Sequence, residues 1–81
     1  MVRLKKNIAI SDSGFVFNPT TGDSFSLNGI GLDILQFLKD EKGEDEIKST
    51  LQAWYDIDRD TVDKDYYDFV KMLGQHKLLD L

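Results

Sequence analysis

The stretch Ser24-Phe25-Ser26-Leu27-Asn28-Gly29-Ile30-Gly31-Leu32-Asp33-Ile34-Leu35 changes its hydrophobic period halfway along. Up to Leu27 the apolar residues alternate with serines, which gives a strand one greasy face and one wet face. From Ile30 onward the spacing is helical, through Ile34, Leu35 and Leu38. Asn28, between the two, is the expected N-cap. A chain with this switch must run from a short strand directly into a helix.

Two more strands are expected upstream. In Asn7–Ser11, Ile8 and Ile10 share a face, and Ser11-Asp12-Ser13-Gly14 is a turn. In Phe15–Asn18 the two phenylalanines share a face, and Asn18–Asp23 turns around Pro19 and Gly22. This reading collects Ile8, Ile10, Phe15, Phe17, Phe25 and Leu27 on one side of an antiparallel meander. Asn7, Ser11, Asn18, Ser24 and Ser26 fall on the other, with Ala9 and Val16 as exceptions.

Three helices are expected over the apolar face. The first runs from about Gly29 to Lys42 and ends at Gly43 as a left-handed cap. The second runs from Glu44 to Asp56, with Ile47, Leu51, Trp54 and Tyr55 as its stripe and three acids at its positive end. The third runs from Thr61 to Gly74 with Val62, Tyr66, Phe69, Val70 and Leu73. The tail Lys77–Leu81 should pack back on a core that gathers Phe17, Phe25, Leu35, Leu51, Phe69 and Leu73.

A chain of 81 residues is one domain. It has no cysteine, which excludes disulfides and thiolate chemistry and suits a cytoplasmic setting. No segment is long and apolar enough to span a membrane or serve as a signal peptide. Fifteen acids against ten bases leave a net charge of −5, which argues against nucleic acid as the partner.

Site motifs are weak. Asp56, Asp58 and Asp60 open like a calcium loop, but Thr61 and Tyr67 stand where glycine and glutamate are needed, so a linker capping the third helix is the better reading. Gly29-Ile30-Gly31 lacks the third glycine of a dinucleotide loop, which leaves close packing at the helix start. His76 is the single histidine and has no partner motif for catalysis or metal binding. No cofactor and no catalytic residue are expected. On the third helix Lys64, Tyr67 and Lys71 form a second face.

Leu27-Asn28 with Gly31, Ile34 and Leu35, then Ile47, Leu51 and Tyr55, then Val62, Asp65, Phe69 and Leu73, and finally Lys77-Leu78-Leu79, resemble the PqqD-like family over nearly the whole chain. One departure is Asp40-Glu41-Lys42-Gly43, where the family often has a tighter Asp-Gly. The resemblance implies an α+β, winged helix-turn-helix-like architecture: a three-stranded antiparallel meander followed by three helices, residues 1–81. It implies a non-enzymatic RiPP recognition element. Such proteins bind the leader segment of a ribosomally made precursor peptide and present it to a modifying enzyme. In pyrroloquinoline quinone (PQQ) biosynthesis that enzyme is a radical S-adenosylmethionine protein. A homodimer is left open.

The family's binding mode is strand addition along the third strand and against the third helix. Carried onto this chain, it nominates Ser24, Phe25, Ser26, Leu27, Tyr66, Tyr67, Val70 and Lys71. Whether the Ser26 N–H faces the open edge or the second strand is undecided by sequence. The runner-up is a winged-helix DNA-binding or regulatory protein. Against it, the third helix sets Asp63, Asp65 and Asp68 against Lys64 and Lys71.

Overall fold

Hydrogen-bonded turns carry the first half of the chain. The computed structural model describes residues 2–27 and 29–80. Strands β1 (Ala9–Ile10), β2 (Phe15–Phe17) and β3 (Ser24–Ser26) form one antiparallel sheet in the order β1-β2-β3. Helices α1 (Gly29–Lys39), α2 (Glu44–Tyr55) and α3 (Arg59–Gln75) follow. This is the expected α+β architecture. The proposed cap Asn28 lies outside the described residues.

The sheet is inverted at β2 relative to the sequence reading. Ile10 opposes Val16, and Val16 opposes Phe25, so these three share the inner face. Val16 is fully buried, whereas Phe15 and Phe17 are 47% and 39% exposed. The outer face therefore carries Ala9, Phe15, Phe17, Ser24 and Ser26. Phe17 leaves the predicted core, Phe15 leaves the predicted apolar face, and Val16 enters the core. Strand alternation gives a period of two but not its sign, and a one-residue offset sends every side chain to the other face. Asn18 is also buried. It accepts the Thr20 N–H on Oδ1 at 3.0 Å, and its backbone closes the turn to Gly22 and Asp23.

Leu4, Ile8, Val16, Ile34, Leu35, Leu38, Ile47, Leu51, Val62, Tyr66, Leu73 and Leu78 make the core, with Phe25, Leu27 and Phe69 packed against it. On α2, Ile47 and Leu51 are buried as expected. Trp54 is 61% exposed, with its ring 5.3 Å from that of Phe37. Tyr55 is also exposed and donates its hydroxyl to Asp33. Both side chains meet α1, at Phe37 and Asp33.

Every helix ends on a left-handed residue that is not glycine. The Glu41 N–H bonds to Leu38 and that of Lys42 to Phe37, a Schellman pair with Glu41 at φ 62°. The first helix thus stops before Gly43, which instead is the extended N-cap of α2. Asp56 closes α2 at φ 52°. Lys77 closes α3 at φ 60°, where Leu78 bonds back to Leu73 and both leucines are fully buried. The N-cap of α3 is Asp58, which accepts the Thr61 N–H at 3.1 Å; Asp60 sits in the first turn. The helix accordingly begins two residues earlier than the sequence suggested.

The tail packs back as expected. It does so as a bridge, with Leu79 opposite Leu4, Lys5 N–H on Leu78 and Asp80 N–H on Arg3.

Candidate functional site

In an antiparallel pair, bonded and non-bonded residue pairs alternate. Leu27 N–H donates to Gly14 at 2.7 Å and Asn18 N–H to Asp23 at 2.9 Å. Both pairs are in register with Val16–Phe25, which is therefore bonded as well. Phe25 and Leu27 aim their N–H groups at β2. Ser24 and Ser26 aim theirs, with their carbonyls, at the open edge of β3. The choice that sequence left undecided is thereby made: the Ser26 donor is outward.

Gly14 makes this geometry possible. Its φ is 93°, and a Cβ there would lie 2.1 Å from the Leu27 carbonyl oxygen. Only glycine allows β3 to approach this closely at its end.

Below the open edge lies one flank of α3. The Phe25 ring sits 5.3 Å from the ring of His76. Further along, a Cβ on Gly31 would meet Phe69 Cε1 at 3.2 Å and Leu27 Cδ2 at 3.6 Å. Gly31 is thus a close-packing glycine between β3, α1 and α3, as its sequence context suggested. Beyond it, Ile30, Gly31, Ile34, Phe69 and Met72 line a shallow cavity of about 370 Å³ with Asp65 and Asp68 at its rim. Leu27 of β3 and Phe69 of α3 both pack at Gly31, so the β3 end, the aromatic pair and the cavity lie along the same side of α3, the candidate groove.

The structure divides the nominated residues. Ser24 and Ser26 are exposed on the edge, and Phe25 and Leu27 are half-buried beside it. Tyr66 is 5% exposed and belongs to the core. Tyr67, Val70 and Lys71 do not reach this groove. At about 100° per residue, Tyr67 and Val70 fall on the flank of Asp63, which bonds to Lys48 on α2, and Lys71 lies near the outer face. The flank beside β3 instead carries Asp65, Asp68, Phe69, Met72 and His76. Sequence reasoning took Phe69 as core, placed Ile30 on the apolar spacing of the first helix, weighed His76 only for catalysis and metal binding, and passed over Met72. Residues 65, 68, 72 and 76 recur at helical spacing on the opposite side of the buried stripe, but their types do not single out that flank.

Lys48 was also missed. It is 8% exposed, with its ammonium 2.7 Å from Glu44, 3.1 Å from Asp63 and 5.1 Å from the Tyr66 ring centre. The hydrogen bond to Glu44 raises its pKa above the ordinary lysine value. Asp63 also accepts from Arg59 at 3.0 Å, and its carboxyl is held below the ordinary value, first by Lys48. This network clasps α2 to α3 and leaves the other flank of α3 free for the groove. Among the described residues, no three His, Cys, Asp or Glu side chains come together as a metal site, and no helix is long and apolar enough to cross a membrane.

An open strand edge beside an amphipathic helix flank, on a three-stranded sheet followed by three helices, has the form of a winged helix-turn-helix-like module. Residues 14–79 match the family model described as coenzyme PQQ synthesis protein D (PqqD), and the chain belongs to that family. Among solved structures, it is similar to TbiB1 in complex with the TbiA(beta) leader peptide. The TM-score is 0.86 and the identity 30%, over 96% of this chain and 94% of that one. No curated protein matches the chain.

Proposed function

We propose that this chain binds the leader segment of a ribosomally synthesised precursor peptide and presents it to a modifying enzyme. The leader adds as a strand to β3, bonding to the outward groups of Ser24 and Ser26. Its inward side chains pack on Phe25, Leu27, Phe69 and Met72 and reach the cavity beside Gly31. The single observation that carries this reading is the open β3 edge beside an amphipathic α3 flank, in a PqqD-family fold similar to a leader-peptide complex.

Main-chain pairing supplies affinity that is indifferent to sequence, and the alternate side chains supply specificity. Nothing in this scheme requires the protein itself to react. The partner is a peptide-modifying enzyme such as a radical S-adenosylmethionine protein, and the setting is the cytoplasm. The acids along α3 make the DNA-binding alternative the weaker one.

The test is a titration of the co-encoded precursor into labelled protein. Amide shifts should gather at Ser24–Leu27, Gly31 and Phe69–His76. Shifts confined to β1 and α2 would reject the groove, and silence with every co-encoded peptide would reject leader binding.

A further inference from the structure

A second cavity, of about 430 Å³, lies at the other end of α1. Its floor includes Val2, Leu4 and Leu38. Around it stand Arg3, Lys5, Lys6, Lys39 and Lys42, five of the chain's ten cations, with only Glu41 and Asp80 of the fifteen acids. The rest of the chain is left with five cations against thirteen acids. Charge is strongly segregated in a chain whose net charge is negative.

The cluster is held in place by the fold. Lys5 N–H donates to Leu78 and Asp80 N–H to Arg3, each at 2.8 Å, which ties the N-terminal segment to the tail. Lys39 is in the last turn of α1, where the helix dipole favours a cation. Among the described residues the cations are weakly engaged. Arg3 stands 3.9 Å from Glu41 and Lys42 3.7 Å from Glu46, all exposed, while Lys5, Lys6 and Lys39 make no ion pair.

We propose that this cavity docks a partner protein through a short acidic segment that carries an apolar side chain. The floor takes the apolar group and the rim takes the carboxylates. A long polyanion such as nucleic acid would gain little from the floor and would run onto the acidic remainder of the surface. The site is compatible with a filled groove. Ile30 and Gly31 line the groove in the first turn of α1, and Leu38 and Lys39 line the cavity in its last. Eight residues of helix lie between each and its counterpart, a rise of about 12 Å. Docking itself does not depend on leader binding; only its use, holding an enzyme while the leader is bound, rests on that reading.

The test titrates the acetylated peptide Asp-Glu-Leu-Asp-Glu-Leu into the labelled full chain at low salt. Saturable shifts should gather at Arg3–Lys6 and Lys39–Lys42 and weaken several-fold at about 0.15 M salt. The double variant Lys5→Glu, Lys39→Glu should lose at least tenfold in affinity, with its urea midpoint and its leader response at Ser24 and Ser26 kept. Should that variant fail to fold, Lys42→Glu replaces it, with a loss of several-fold expected. Absence of shifts at these residues overturns the proposal. So does an equal response to free glutamate, tighter binding of a thymidine oligonucleotide, or undiminished affinity in the variants. Acidic-peptide binding without any leader response would instead count against leader binding alone.

Discussion

Adjacent residues on β3 differ in what proline would do to them. Ser26 directs its N–H outward, so Ser26→Pro removes a donor that the sheet does not use. Leader affinity should fall roughly tenfold, the loss of about one net hydrogen bond, while the thermal midpoint moves little. Phe25→Pro removes a ladder bond to Val16 and should destabilise the fold by about 3 kcal/mol. Equal damage to stability from both substitutions would show the edge assignment to be wrong. A second residue-scale prediction concerns Glu41, which holds φ 62° at the end of α1. A side chain costs about 1–2 kcal/mol in that region, partly offset by the flexibility glycine adds to the unfolded chain. Glu41→Gly should therefore stabilise by about 0.5–1 kcal/mol in urea unfolding, and a lowered midpoint would contradict the cap geometry.

At the level of elements, the α2–α3 clasp has a pH signature. Asp63 has a folded pKa below its ordinary 3.8, so its contribution is present above that value and is lost as pH falls through the folded one. Lys48 has a folded pKa above 10.5, so its contribution is present below that value and is lost as pH rises through the folded one. Urea midpoints should thus fall at both extremes, and Asp63→Asn should flatten the acid limb. An unchanged acid limb in that variant would show that the clasp adds nothing. The order and type of all six elements were legible, because the shift from alternation to helical spacing at Leu27–Ile30 and the stripe of α3 are properties of the chain alone. The side of β2 was not. Phe15 and Phe17 look like core by size, yet the Ser11–Gly14 turn sets the register. That turn puts Ser11 N–H on Phe15 and aligns Val16 between Ile10 and Phe25. Which flank of α3 meets β3 was equally hidden, since it depends on the packing of Gly31 against Phe69.

Across the whole molecule, the two flanks of α3 have separate duties. One is committed to α2 through Asp63, Lys48 and Arg59; the other borders β3 through Phe69, Met72 and His76. A ligand strand on β3 can touch only the second. Met72→Ala should therefore raise the leader dissociation constant roughly tenfold, the effect of one apolar side chain worth about 1–1.5 kcal/mol in contact. Tyr67→Ala removes a larger and more exposed ring on the wrong side and should leave affinity unchanged. The comparison is protected against trivial unfolding. Met72 is only half-buried, so its truncation should cost less than the 2–5 kcal/mol of a fully buried methionine, and the midpoint can be checked in the same samples. The opposite ranking, with Tyr67→Ala weakening the leader and Met72→Ala silent, would move the groove to the α2 side. It would also leave the open edge of β3 without a function.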